Sequence, residues 1–321
     1  MSNESEIKLY RTLAQSGDAG AQNRLGWIYQ NGTGVPQDDA EALKWFLQAA
    51  GQGHPDAQNN IGWRYQNGVG VPRDDAEALK WFLQAAGQGH ADAQNRLGWI
   101  YQNGAGVPQD NAEALKWFLK AAHQGHPEAQ NNIGWRYQSG VGVQRDNAEA
   151  VKWYREAARQ GNADAQNNLG LMLQNGRGVP RNYAEAVKWY TEAAGRGNVY
   201  AQYNLACMYK DGMGVPQDST RALKWFLEAA VQGHAESQYN VGLMYSSGLQ
   251  DYHEAARWFL KAAEQGIDEA QYHFGLILEE GRGVERDLDA AEVWYNEAAR
   301  QGHDEAMEAL QRLEQMKNKE S

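Results

Sequence analysis

The chain has 321 residues, 42% of them hydrophobic, and its 12 Trp and 16 Tyr supply enough apolar surface for a continuous core. Thirty Lys and Arg against 41 Asp and Glu leave a formal net charge of −11; with no basic cluster, this argues against nucleic acid and anionic membrane surfaces and leaves open a basic protein or peptide partner. The single cysteine, Cys207, excludes an internal disulfide framework, and no run approaches the ~18 apolar residues of a membrane span.

The N-terminal MSNESEIKLYRTLAQ has neither a basic n-region nor an apolar h-region, so it does not read as a signal peptide, and the chain is expected in the cytoplasm. Residues 4–16, within an N-terminal segment 1–17, align with the second half of the unit that follows. Leu9 stands where Trp45 stands and Gly17 where Gly53 stands, which predicts an N-terminal capping helix. The unit itself is the stretch Ala21 to Gly53, AQNRLGWIYQNGTGVPQDDAEALKWFLQAAGQG. It recurs 36 residues later at Ala57, then at Ala93, Ala129, Ala165 and Ala201. A seventh copy from Ser237 is three residues short, and an eighth starts at Ala270. Self-similarity at such a period means stacked repeats, each touching only its neighbours, so the length is read as one elongated domain. The boundaries read 18–53, 54–89, 90–125, 126–161, 162–197, 198–233, 234–266 and 267–302, with a C-terminal capping helix and tail at 303–321. Repeats 1 and 3 share NRLGWIY and repeats 2 and 4 share NNIGWRY, as a duplicated two-repeat unit would.

Each repeat reads as two helices. Helix A of repeat 1 runs from about Ala19 to Gln30, with Ala21, Leu25, Gly26 and Tyr29 on one side of a wheel of ~100° per residue. Gly26 recurs as Gly62, Gly98, Gly134, Gly170, Gly242 and Gly275, with Ala206 once. A mid-helix glycine costs ~1 kcal/mol against alanine, so its fixed place implies that a neighbouring helix backbone needs the room. In the loop, Gly32 and Gly34 suit positive φ, Val35 is the apolar plug, and Asp38 with Glu41 forms a capping box for helix B. Helix B, about Asp39 to Gln52, carries Ala42, Trp45, Phe46 and Ala49 on one face and stops at Gly53. Its tryptophans, Trp45, Trp81, Trp117, Trp153, Trp189, Trp225, Trp258 and Trp294, are expected to be framework. Pro55 and Pro127 suit the first turn of the next helix A. In the short seventh repeat, Leu249 is expected to take over the plug.

Opposite the apolar stripe of helix A lies a second one. Asn23, Arg24, Trp27 and Asn31 share it, with Gln30 at its edge. It recurs as Asn59, Trp63 and Asn67; as Asn95, Arg96, Trp99 and Asn103; and as Asn131 and Trp135. It then changes to Asn167 with Leu171, Tyr203 with Cys207, Tyr239 with Leu243, and Tyr272 with Leu276. Two readings stand. The stripe is a partner surface, in which rigid indoles give contact area and carboxamides pair with an extended backbone, or the indoles are inter-repeat core.

Catalytic and metal chemistry find no footing. His54, His90, His126, His234 and His303 follow the helix-B stop once per repeat and read as turn and N-cap residues. Stacked helix pairs would hold them ~20 Å apart, too far to share zinc. Ser5 to Lys8 matches SxxK without its companion motifs, Cys207 has no histidine placed beside it, and the loop GxG lacks a phosphate-binding context. No catalytic residue, metal or cofactor is expected.

The string AxAQxNLGxxYxxGxGVxxDxxxAxxWxxxAAxxG, over about residues 18–302, resembles the Sel1-like repeat, a relative of the tetratricopeptide repeat with a longer A–B loop. The resemblance implies an all-α, right-handed α-solenoid superhelix of helix–loop–helix repeats, helix A lining its concave side. It also implies a non-catalytic scaffold or adaptor that holds a partner polypeptide. An immunity or inhibitor protein is the alternative, and a β-lactamase-like hydrolase is disfavoured by the missing motifs.

Overall fold

A computed structural model of the chain describes residues 3–320; residues 1, 2 and 321, the outermost ends of the two capping segments, lie outside the described residues. All regular structure among the described residues is helical. The cap α1 spans Asn3–Gln15. Helix A of the eight repeats is α2 (Ala19–Asn31), α4 (Pro55–Asn67), α6 (Ala91–Asn103), α8 (Pro127–Ser139), α10 (Ala163–Asn175), α12 (Val199–Asp211), α14 (Ala235–Leu243) and α16 (Asp268–Glu280). Helix B is α3 (Asp39–Gly51), α5 (Asp75–Gly87), α7 (Asn111–His123), α9 (Asn147–Arg159), α11 (Tyr183–Gly195), α13 (Ser219–Val231), α15 (Tyr252–Glu264) and α17 (Leu288–Arg300). The last helix, α18, covers Asp304–Glu320. The fold divides into two compact units, residues 1–165 with 177–179, and residues 166–176 with 180–321.

Short-range chemistry sets the helix ends. The Asp38 side chain accepts a hydrogen bond from the Glu41 backbone N–H at 2.9 Å. Only this half of the expected capping box forms, because the Asp38 N–H donates to the Tyr29 carbonyl at 2.9 Å, and the Glu41 carboxylate turns to Lys44 at 3.3 Å. Gly32 closes α2 at φ 64°, where a side chain would be strained. The second loop glycine has a further reason. A Cβ on Gly142 would lie 2.8 Å from the Asn111 carbonyl oxygen, so the loop rests directly on the first turn of the preceding helix B.

The mid-helix glycine answers to a ring, not to a backbone. A Cβ on Gly26 would lie 2.6 Å from the Phe46 ring, and the same pairing recurs at Gly98 with Phe118, Gly134 with Tyr154 and Gly170 with Tyr190. That ring, one residue after the conserved-spacing tryptophan of helix B, is the fully buried aromatic of each repeat. Of the helix-B tryptophans only Trp45 and Trp258 are buried; the other six are half-buried. They still serve as framework, since Trp81 packs on a cluster made of Ala42 and Phe46 from the repeat before it and Ile61 from its own. Expectation fails at the seventh repeat. The shortened connection winds as a π-helical turn over Met244–Leu249, Gln250 takes φ 55°, and Leu249 stands 59% exposed instead of plugging the core.

Candidate partner-binding surface

In the first unit α2, α4, α6 and α8 lie side by side and touch through their side chains. Asn60 donates to the Asn23 Oδ1 at 3.2 Å, and Asn132 to the Asn95 Oδ1 at 3.5 Å. The N-termini of these helices are also joined. The His126 Nδ1 accepts from the Ala129 N–H at 3.2 Å, which leaves its Nε2–H to donate to Asp92, one repeat earlier, at 2.9 Å. That hydrogen bond holds the Asp92 carboxyl below its usual range. The histidines are thus N-cap residues, as expected, but successive repeats approach far closer than ~20 Å. His54 is the exception and makes no side-chain cap.

The indole stripe faces solvent. Trp27 is 40%, Trp99 36% and Trp135 45% exposed, and Trp63 is half-buried. Arg24 lies 4.5 Å over the Trp27 ring and 3.7 Å from Glu6, and Trp99 rests edge-on against Phe118 at 5.6 Å. Arg96 and Asn103 are exposed beside Trp99.

Most carboxamides expected to meet a partner are already engaged within the protein. Asn31 and Asn67 donate to the Trp27 and Trp63 carbonyls of their own helices at 2.8 Å, extending the helix C-termini. Gln30 accepts from Arg64 at 3.1 Å. Asn23 and Asn95 serve the inter-repeat clasp just described, and Asn95 also donates to Glu128 at 3.3 Å. Asn131 is half-buried, and the Asn59 Oδ1 is buried without a protein partner. In the second unit Asn167 is buried and accepts from Asn204 at 2.9 Å, while Tyr203 and Tyr239 are half-buried. Cys207 sits beside Tyr203, and burial pushes its thiol up, away from nucleophilic character.

Two features escaped the sequence reading. The first is the glutamine of each Ala-Gln dipeptide. Gln94 is buried, donates to the Ala86 carbonyl at 3.1 Å and accepts from Gln124 at 2.7 Å, riveting three helices together. The recurrence of both glutamines at one spacing was the available signal. The second is a pair of fully buried arginines, Arg64 and Arg136, at the position held by Ile28 and Ile100 in the alternate repeats. Arg64 donates to the Asp39 and Val69 carbonyls and pairs with the Asp39 carboxylate at 3.2 Å. Arg136 donates to the Asn111 and Val141 carbonyls and to Gln102, but Asn111 offers no charge, and burial lowers its pKa without compensation from a carboxylate. The IY-to-RY alternation was visible; that the arginine points inward was not.

A 36-residue helix–loop–helix stacked through glutamines, loop glycines and a glycine–ring contact is the architecture of a known repeat. The Sel1 repeat model matches residues 19–54, 55–90, 91–126, 127–162, 163–198, 199–234, 235–267 and 268–303. The chain belongs to the Sel1 repeat family. Its fold is similar to that of a protective antigen of uropathogenic Escherichia coli strains, at 39% identity and TM-score 0.86, over 95% of this chain and 66% of that one. It is also similar to a Sel1 repeat protein of Oxalobacter formigenes, at 36% identity and TM-score 0.69, over 96% of this chain and 90% of that one. Comparison with curated proteins returns no match. Among the described residues of these Sel1 repeats, no three His, Cys, Asp or Glu side chains gather as metal ligands, and no helix is long and apolar enough to cross a membrane.

Proposed function

We propose that the chain is a non-catalytic interaction scaffold of the cytoplasm that holds a partner polypeptide, basic in character, and that the exposed helix-A stripe of the first unit is one contact surface. One observation carries this reading: Trp27, Trp99 and Trp135 stand 36–45% exposed on α2, α6 and α8. Large rigid aromatics left in water at regular spacing cost solvation free energy unless a partner covers them, and indoles dominate binding hot spots. His90, His126 and His234 are occupied in helix caps, and Cys207 is packed beside Tyr203.

The test is a pull-down with three baits: the intact chain, a Trp27→Ala/Trp99→Ala/Trp135→Ala variant, and a Leu47→Ala control on an exposed helix-B position. Intact chain and control should capture the same protein, and the triple variant should lose it while its thermal transition stays within a few degrees. Equal capture by all three baits would remove the indole stripe from the reading, and a strongly lowered transition in the triple variant would return the indoles to the core.

A further inference from the structure

The second unit carries a helix-A face of different chemistry. On α12, α14 and α16 the position of Asn23 is taken by Tyr203, Tyr239 and Tyr272, each half-exposed, and Tyr200 is 60% exposed one turn before the first of them. Their rings are propped by imidazoles. Tyr203 lies 4.9 Å from His234 and Tyr200 meets the same ring edge-on at 5.7 Å. Tyr239 lies 5.9 Å from His273, His273 5.3 Å from Tyr272, and Tyr272 stacks on His303 at 4.8 Å.

Carboxylates accompany each ring. Burial is the main cause raising these phenols, but Glu236 and Asp211 add to it at Tyr203, and Glu269 and Asp268 at Tyr239. These three helices hold one lysine against six carboxylates, whereas α2, α4, α6 and α8 hold four arginines against three. Glu279 and Glu280 are neutralised by Arg312 and Arg282 at 2.8 and 2.9 Å. Asp211, Asp268 and Glu269 have no Lys or Arg partner among the described residues, and Lys210 turns instead to Asn240 at 3.5 Å. Asp268 stands next to Glu269, and the neighbouring carboxyl raises that of Glu269. Two adjacent like charges and a row of π faces are each favourable for one kind of visitor, a cation that can pair with a carboxylate while lying over a ring.

We propose that the tyrosine–carboxylate face of α12, α14 and α16 docks a segment of polypeptide rich in Arg and Lys. The proposal rests on the scaffold reading above and gives the basic partner a contact surface within the second unit. Cations of the segment meet Asp211 at the end of α12 and Asp268 and Glu269 at the start of α16, and the phenol rings of the three helices supply π faces to its guanidinium planes.

The probe is a short fluorescein-labelled peptide alternating Arg and Ser, with its Glu-for-Arg counterpart, titrated with the full chain by fluorescence anisotropy. The Arg peptide should bind, more weakly as salt rises, and the Glu peptide should not. Asp211→Asn/Asp268→Asn/Glu269→Gln should weaken the Arg peptide about tenfold or more, and Tyr200→Ala should weaken it with little change in salt dependence. These are surface substitutions, and an unchanged thermal transition checks that the fold is kept. The Trp27→Ala/Trp99→Ala/Trp135→Ala variant should bind the peptide as the intact chain does. Equal binding of both peptides, or indifference to the carboxylate variant, overturns the proposal. Loss of the peptide in the tryptophan variant alone overturns it while leaving the indole reading standing.

Discussion

Replacing Asn111 by Asp should stabilise the first unit, because it supplies the charge that Arg136 lacks. Arg64 and Arg136 are equivalent, both fully buried, and each reaches back to the first residue of the preceding helix B. At Arg64 that residue is Asp39, whose carboxylate lies 3.2 Å from Nη2. At Arg136 it is Asn111, whose side-chain oxygen is buried and unpartnered; the Nε of both arginines is likewise without a partner. A unit charge pair near 4 Å is worth about 4 kcal/mol gross at an effective dielectric constant near 20. Desolvating the new carboxylate takes back part of this, but the equivalent Asp39 side chain keeps 34% of its exposure, so the recovery is incomplete. The position also opens α7, where an anion gains roughly 0.3–1 kcal/mol from the helix dipole. The net expectation for Asn111→Asp is about 1–3 kcal/mol of stabilisation, or roughly 2–4 °C of Tm for each kcal/mol in a domain of this size. Asp39→Asn should cost a similar amount. Thermal unfolding followed by circular dichroism reads both, and the gain should be complete above about pH 5 and fall away as pH drops from about 4 through the lowered folded pKa of the new carboxyl. If Asn111→Asp is neutral or destabilising while Asp39→Asn is harmless, the buried guanidinium is not short of charge and the reasoning fails.

Three further outcomes are expected. Gly98→Ala places a methyl 2.6 Å from the Phe118 ring and should cost roughly 1–3 kcal/mol, whereas Gly51→Ala meets no atom within 4 Å and should gain roughly 0.5–1 kcal/mol from helix propensity; chemical denaturation separates the two. His273 is held neutral by burial, its pKa below the ordinary value, so the unfolded chain takes up the proton first as pH falls. Stability should therefore be complete above about pH 6.5 and decline as pH drops through the lowered folded value, and His273→Gln should flatten a Tm–pH profile measured from pH 8 to 5. Gln94→Ala removes two hydrogen bonds and strands the Gln124 amide, while the Ala86 carbonyl keeps the Gly89 N–H at 3.0 Å; it should cost roughly 1–2 kcal/mol, whereas the exposed Asn103→Ala should cost little, and the same melts compare them.

Much of this protein was legible from residues close together in the chain. The period, the thirteen-residue helices, the Asp38-type caps, the glycine stops at Gly32 and Gly53 and the proline at the start of α4 all follow from rules that act within a turn or two. The wheel also separated Leu25 from Trp27 correctly, burying one and exposing the other. What it could not see is that each helix A has more than one neighbour. Its flanks are claimed by helix B of the same repeat and by the helix A of the next, so polar residues there were committed to clasps. Asn23 met Asn60, Gln30 met Arg64, and Asn31 folded back onto its own backbone.

The amino-acid order by itself determined where helices start and stop, which residue type recurs at each place, and so the repeat family. Only the tertiary structure decided which amides remain free, that Arg64 and Arg136 are buried, that a phenyl ring claims the space over Gly26, and that Leu249 stays in water. Capping and helix propensity are fixed by bonds and torsions within a few residues, whereas burial is fixed by whichever surface the stacked neighbour presents. That surface lies about thirty-six residues away and leaves no mark on the local pattern.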